Sequence, residues 1–212
     1  QGKDKDLLCG IPYADPAGRH DAAAPDLLVP AAAEESDLPV PAAAAVPDLL
    51  PNFRKLMKEY SSGYLTVPAV GAGTANVEFE VMTGISAKFF GPGEYPYKSV
   101  LTEKTCEAAP YDFKQLGYGT HAIHNHRGAF YNRNKVFANM GFDTFTCLEY
   151  MNNVMKTPKN WAKDSLLTEQ ILDALNSTEG SDYIYTISVQ GHGKYPTEQV
   201  IENPAITVTQ YQ

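Results

Sequence analysis

The sequence predicts an α/β protein, a three-layer α/β/α sandwich around a mostly parallel sheet. Three observations carry this. Helical and β-prone segments alternate from Pro51 to Gln190, the pattern of a sheet covered by helices on both faces. The last segment, SDYIYTISVQ, is apolar almost throughout its centre, as strands buried on both faces are. Three glycine-bearing segments, GAGTAN, HNHRGAFYNR and GHGKYP, each follow a β-prone run. Ligands on parallel sheets gather at that position, beyond the carboxyl ends of the strands.

The first fifty residues stand apart. They are rich in Ala and Pro, and Tyr13 is the only aromatic residue before Phe53. Recurrent proline forbids a long helix, and little bulky apolar surface is available to offset ordering entropy. Residues 1–50 are therefore expected to be a poorly structured extension. From Pro51, PNFRKLMKEY places Phe53, Leu56, Met57 and Tyr60 at helical spacing behind a first-turn proline, which predicts an amphipathic helix docked on a core. Tyr64 to Val67 reads as a strand stopped by Pro68. A helix then runs from about Thr74 to Met82, with Gly84 ending it.

FFGPGEYPYKS reads as a loop, and YDFKQLGYG as a short helix ended by Gly117 or Gly119. Thr120 to His124 alternates and is β-prone. NRNKVFANM is a helix with Gly141 behind it, and Phe142 to Leu148 a strand. DSLLTEQILDALN is a helix that Asp164 can cap, with Leu167, Ile171, Leu172 and Leu175 along one face. The final strand runs to Gln190.

Charge and composition narrow the function. The net charge of -8, from 25 acidic and 17 basic side chains, excludes a general nucleic-acid binder, which shows a basic stripe. It is compatible with an anionic substrate, since a few placed cations hold one phosphate. Cys9, Cys106 and Cys147 form neither a zinc signature nor a disulfide framework, and read as small half-buried thiols. No apolar run is long enough to cross a bilayer, and no signal-peptide pattern opens the chain. Its first residue is Gln, and it is expected to be a piece of something longer.

Thr74 follows Gly71 and Gly73 at a helix start. Such glycines let backbone N–H groups approach an anion, and the helix N-terminus favours it. Thr74 therefore reads either as a helix cap, with Glu78 nearby, or as a nucleophile. In HAIHNHRGAFYNR, His121 reads as structural. His124 and Arg133 are candidates for holding a phosphate, and Tyr131 for packing on a glycerol or sugar. A solvated basic loop is the competing reading. His192, between Gly191 and Gly193 after the last strand, is a turn residue or is presented into a crevice.

Together GAGTANVEFEVMTG, HNHRGAFYNRNKVFANMGFDTF and ISVQGHGKYP resemble the lipoteichoic acid synthase family, from about Pro51 to about Glu198. These are bacterial phosphoglycerol transferases of the sulfatase and alkaline-phosphatase superfamily. The resemblance implies an alkaline-phosphatase/sulfatase-like fold, with residues 51–212 as the N-terminal, incomplete part of its catalytic domain. It implies that Thr74 ligates a divalent ion, manganese or magnesium. Thr74 would take glycerophosphate from phosphatidylglycerol and pass it to a growing glycerophosphate polymer. His124, Arg133, Tyr131 (a tryptophan in some members) and His192 match substrate-binding positions. Full-length members act at the outer face of the bacterial cell membrane, anchored by segments this chain does not contain. An upstream acidic metal ligand and a downstream Asp–His pair are not found in the chain, so the chain alone is expected to be inactive. The alternatives are a sulfatase or phosphodiesterase of the same superfamily, although no C/S-x-P-x-R motif occurs, and a non-catalytic anion-binding module.

Overall fold

The computed structural model describes residues 50–67, 73–193 and 196–204. They fall in two compact units: residues 65–67, 73–193 and 196–202 in one, 50–64 and 203–204 in the other. The expected extension, up to residue 49, lies outside the described residues.

The smaller unit contributes helix α1, Pro51–Glu59, opened by its proline. Phe53, Leu56, Met57 and Tyr60 are all exposed, and no residue of α1 is buried. The periodicity thus forms the helix, while among the described residues the expected docking on a core is not observed. Among the described residues the expected strand Tyr64–Val67 is also not formed. They join no ladder with any described residue, and Tyr64 and Leu65 are exposed. β-propensity describes how a residue fits a sheet, and it makes no strand without a neighbour.

The larger unit holds α2 (Thr74–Thr83), α3 (Ala109–Gln115), β1 (Gly119–His124), α4 (Arg133–Asn139), β2 (Thr144–Cys147), α5 (Ser165–Asn176) and β3 (Asp182–Ile187). The sheet has the order β2-β1-β3 and both pairings are parallel. His124, the last residue of β1, lies level with Cys147 and Ile187. The three carboxyl ends therefore share one edge. Successive side chains of a strand face opposite layers. Ala122 accordingly joins a core with Ala75, Phe79 and Met82 of α2 and Val136 and Phe137 of α4. Its neighbour Ile123 joins a second core with Leu166 and Leu167 of α5. Helices thus cover both faces of the sheet.

Several details depart from the sequence reading. β3 is half-buried along its length rather than buried on both faces. Among the described residues it has a neighbour on one side only. In α5, Leu166, Leu167 and Ile171 pack inward, but Leu172 and Leu175 are exposed. Asp164 makes no side-chain cap. Its carboxylate accepts from Ser188 Oγ at 2.7 and 2.8 Å and from Asn125 Nδ2 at 3.1 Å, so tertiary partners displace the local one. The stretch read as a loop, Phe89 to Ser99, coils into a 3-10 turn at Pro96–Lys98, with further turns at its two borders, Ala87–Phe89 and Val100–Thr102. Tyr97 within the stretch and Leu101 just after it are completely buried.

Candidate functional site

The candidate residues sit at the start of α2 and on the segments that follow β1, β2 and β3. Gly73 is the N-cap of α2, at φ 84°, and makes no side-chain cap. Thr74 is the first helical residue and is exposed. It is therefore not the helix cap, and its hydroxyl stands at a terminus whose first backbone N–H groups have no intrahelical acceptor. Residues 68–72, with Gly71, lie outside the described residues.

Glu78 does not support a cap either. It is buried one turn along α2, on the face that Thr74 occupies. There it meets Arg133, 55 residues away in sequence. Arg133 Nε donates to Oε2 at 3.0 Å, and Nη2 donates to Oε1. Both side chains are 3% exposed. Arg133 Nη1 also donates to the carbonyl of Phe130 at 3.3 Å. The structure therefore gives Arg133 a structural partner that the sequence did not disclose. This buried pair clamps the start of α4 to α2.

His124 is buried at the end of β1, with Nδ1 2.9 Å from the carbonyl of Ile187. A carbonyl only accepts, so Nδ1 carries the proton and Nε2 presents a lone pair. Burial, opposed by that carbonyl and aided by the charges of Arg133 and His126, pushes its pKa down to about 4. His124 is a neutral imidazole at neutral pH. It suits a hydroxyl better than a phosphate anion. His121 lies at the far end of the sheet, against Thr144 Oγ1 at 2.8 Å and Asp182 Oδ1 at 3.1 Å. It ties the three strands together there.

Aromatic rings join the remaining candidates. Tyr131 stacks on Tyr95 at 5.8 Å and meets Phe130 edge-on at 4.7 Å. Lys98 Nζ lies over the rings of Tyr95 and Tyr131, at 4.9 and 5.2 Å. The guanidinium of Arg133 lies 5.3 Å from the Tyr131 ring. Tyr131 and Asn132 both have positive φ, 58° and 55°. This uncommon backbone for non-glycine residues turns the chain sharply into α4. From Phe130 the contacts continue to His126 at 5.0 Å, then Trp161 at 5.8 Å, then His192 at 4.9 Å. His124 lies 5.7 Å from His126.

The fold thus brings His124, Tyr131, Arg133 and His192 onto one continuous wall, and the Glu78–Arg133 pair ties that wall to the helix bearing Thr74. Sequence reading missed His126, Phe130, Lys98 and Trp161. The one signal for Trp161 was its being the sole tryptophan, on a segment that follows a strand. A cavity of about 270 Å³ opens beside this wall, lined in part by His126, Arg127, Phe130, Lys156, Asn160 and Trp161.

A divalent ion needs several converging anionic or imidazole ligands. Among the described residues no three His, Cys, Asp or Glu side chains converge in that way. The carboxylate one turn from Thr74 is engaged by Arg133. The expected manganese or magnesium site is therefore not built by the described residues.

The Sulfatase family model matches residues 37–209, and the chain belongs to that family. A Rhizobium meliloti (strain 1021) protein, provisionally described as a cyclic beta-1,2-glucan modification protein, is 32% identical over 189 residues. The match covers 89% of this chain and 29% of that protein, so the chain spans under a third of its relative's length. Among solved structures, the fold is similar to the Streptococcus pyogenes phosphoglycerol transferase GacH in complex with sn-glycerol-1-phosphate. That likeness has a TM-score of 0.59 and 23% identity, over 71% of this chain and 40% of that one. It is also similar to the lipoteichoic acid synthase LtaP of Listeria monocytogenes, with a TM-score of 0.51 and 20% identity, over 59% and 30% of the two chains. The parallel sheet, three-stranded among the described residues, is thus an incomplete alkaline-phosphatase/sulfatase-like fold.

Proposed function

We propose that the protein to which this chain belongs is a phosphoglycerol transferase with Thr74 as its nucleophile. The Thr74 oxygen attacks the phosphorus of the phosphatidylglycerol headgroup. Diacylglycerol leaves with the proton, and glycerophosphate stays on the threonine. An acceptor hydroxyl then displaces the threonine oxygen and takes the group. The observation that carries this reading is the placement of Thr74, exposed at the first position of α2 and joined to the histidine–aromatic wall through Glu78 and Arg133.

The wall's chemistry supports the following roles. His124 Nε2 accepts a hydrogen bond from a glycerol or acceptor hydroxyl, because its Nδ1 is held by Ile187. Tyr131 packs on the glycerol carbons, and His192 flanks the same wall. Arg133 contributes positive potential to the phosphate while it holds the two helices together. The curated relative concerns a glucan, and this favours a carbohydrate hydroxyl as acceptor over a growing glycerophosphate polymer. The place of action is the outer face of a bacterial membrane. No described helix is long and apolar enough to cross one. Transfer to water, as in a sulfatase or phosphodiesterase, is the second reading, since the same site serves it if water takes the acceptor's place.

The test uses the full-length protein and phosphatidylglycerol labelled in its headgroup glycerol. Expected is label trapped on Thr74, found by peptide mass spectrometry, and loss of all transfer in Thr74→Ala. Turnover that survives Thr74→Ala would refute the reading. The 212-residue chain by itself is expected to show no turnover.

A further inference from the structure

None of Thr74, His124, Tyr131, Arg133 and His192, the residues assigned to the glycerophosphate, lines the cavity beside the wall. Its volume of about 270 Å³ lies just under the ~300–1,000 Å³ usual for small-molecule sites. It admits one compact ring and excludes a diacyl chain. Its lining is mixed. Trp161 supplies a partly exposed indole, and Asn160, Arg127 and Lys156 supply exposed polar ends. Asn125 is completely buried behind it, with every polar atom engaged. Its Nδ2 donates to Ala162 O at 3.3 Å and Asp164 Oδ1 at 3.1 Å, and its Oδ1 accepts from Val189 N at 2.8 Å. The floor under Trp161 is therefore rigid. Two further hydrogen bonds shape the loop that carries the indole: Trp161 N donates to Thr157 Oγ1 at 3.1 Å, and Thr157 N donates to Trp161 O at 2.7 Å.

His126 is the remaining polar group. Burial foremost, then the charges of Arg133, Arg127 and His192, lower its pKa. It is a neutral imidazole at neutral pH, able both to donate and to accept. A neutral imidazole, an amide and an indole face are complementary to a polyhydroxylated ring, which has an apolar face and a rim of hydroxyls. A bare phosphate would be better served by charged donors in the interior, yet the two cations stand exposed.

We infer that this cavity binds one neutral hexose ring of a glycan, stacked on Trp161 and hydrogen-bonded by His126, Asn160, Arg127 and Lys156. Its position supports the role of acceptor. His126 lines the cavity and lies 5.7 Å from His124, while Trp161 lies 4.9 Å from His192. A ring seated there adjoins the wall assigned to the glycerophosphate. The acceptor role rests on the transferase reading. Glycan binding does not.

The single tryptophan gives the assay. Sophorose, a neutral β-1,2-linked glucose disaccharide, is titrated into the 212-residue chain while Trp161 emission is followed. Expected is a saturable change that glycerol 1-phosphate does not displace. Lys156→Gln is an exposed change that leaves the fold intact, and it should weaken binding. Trp161→Phe, read by calorimetry, should weaken it about tenfold, the scale of a truncated aromatic anchor. No saturable change would overturn the inference. So would displacement by glycerol 1-phosphate, which would make the cavity a phosphate pocket, or sophorose binding indifferent to both variants. Sophorose binding without transfer by the full-length protein would remove the acceptor role and leave the glycan site. Transfer without sophorose binding would remove the glycan site alone.

Discussion

Replacing Glu78 by Gln leaves Arg133 charged, 3% exposed and without its carboxylate. Breaking a buried ion pair on one side costs about 3–5 kcal/mol, because the remaining charge keeps its desolvation penalty and loses its counter-charge. That is roughly a 100- to 5,000-fold change in the unfolding equilibrium. It is a large part of the ~5–15 kcal/mol that holds a typical domain folded. Two hydrogen bonds are at stake, Nε to Oε2 at 3.0 Å and Nη2 to Oε1, and the Nη1 bond to Phe130 O is left to orient the side chain alone. The pair also joins α2 to α4, so its loss should free the start of α2. The assay is urea unfolding of the chain, with Glu78→Gln, Arg133→Met and the double variant measured as a cycle. Each single variant should lose about 3 kcal/mol or more. The double variant should lose much less than the sum, because it buries no unpaired charge. A Glu78→Gln loss under about 1 kcal/mol, the range of exposed pairs, would refute the clamp.

Three further outcomes follow from other parts of the molecule. Gly141 stands at φ 91°, and an added Cβ would lie 2.8 Å from ring atoms of Tyr111. Gly141→Ala should therefore cost about 2–4 kcal/mol from backbone strain and overpacking, read as a lower urea midpoint. His124 has a folded pKa of about 4 against 6.5, so the unfolded chain takes up the proton first. The stability it contributes is complete above pH 6.5, declines below that, and is gone once the pH has fallen through 4. The loss is on the order of 3 kcal/mol. His124→Gln should flatten this part of the pH–stability curve, although His126 titrates with the same sign. An unchanged slope would show that His124 is solvated. In the full-length protein, Thr74→Ser should keep part of the labelled adduct that Thr74→Ala loses, since only the hydroxyl is required.

Much of the larger unit was legible because its signals are local. Helix α2 begins at the expected Thr74 and ends at Gly84, whose φ of 67° is a conformation glycine adopts without strain. Gly117 and Gly141, at φ 84° and 91°, close α3 and α4 for the same reason. β1 and β2 were found by pattern, although β2 is shorter than Phe142 to Leu148, since Phe142 turns into the core after Gly141. Tyr64 to Val67 failed because a strand is defined by a partner, and a partner is not written in the strand's own residues. Leu172 and Leu175 failed because helical spacing gives a face but not how wide a stripe the neighbouring layer covers.

What the sequence by itself determined was the order of helices and strands, the family, and the segments where chemistry gathers. Each depends on short-range periodicity or on residues a few positions apart. What only the tertiary structure decided was the use of those residues. Arg133 reads as a free phosphate ligand until Glu78, from another helix, is seen to bury it. His124 reads as a phosphate donor until Ile187, on a neighbouring strand, fixes which nitrogen carries the proton. Trp161 is unremarked until the ends of three parallel strands bring it against His126 and His192. In each case the deciding partner is far away in the chain. Burial and hydrogen bonding depend on neighbours in space, and these exist only once the sheet has assembled.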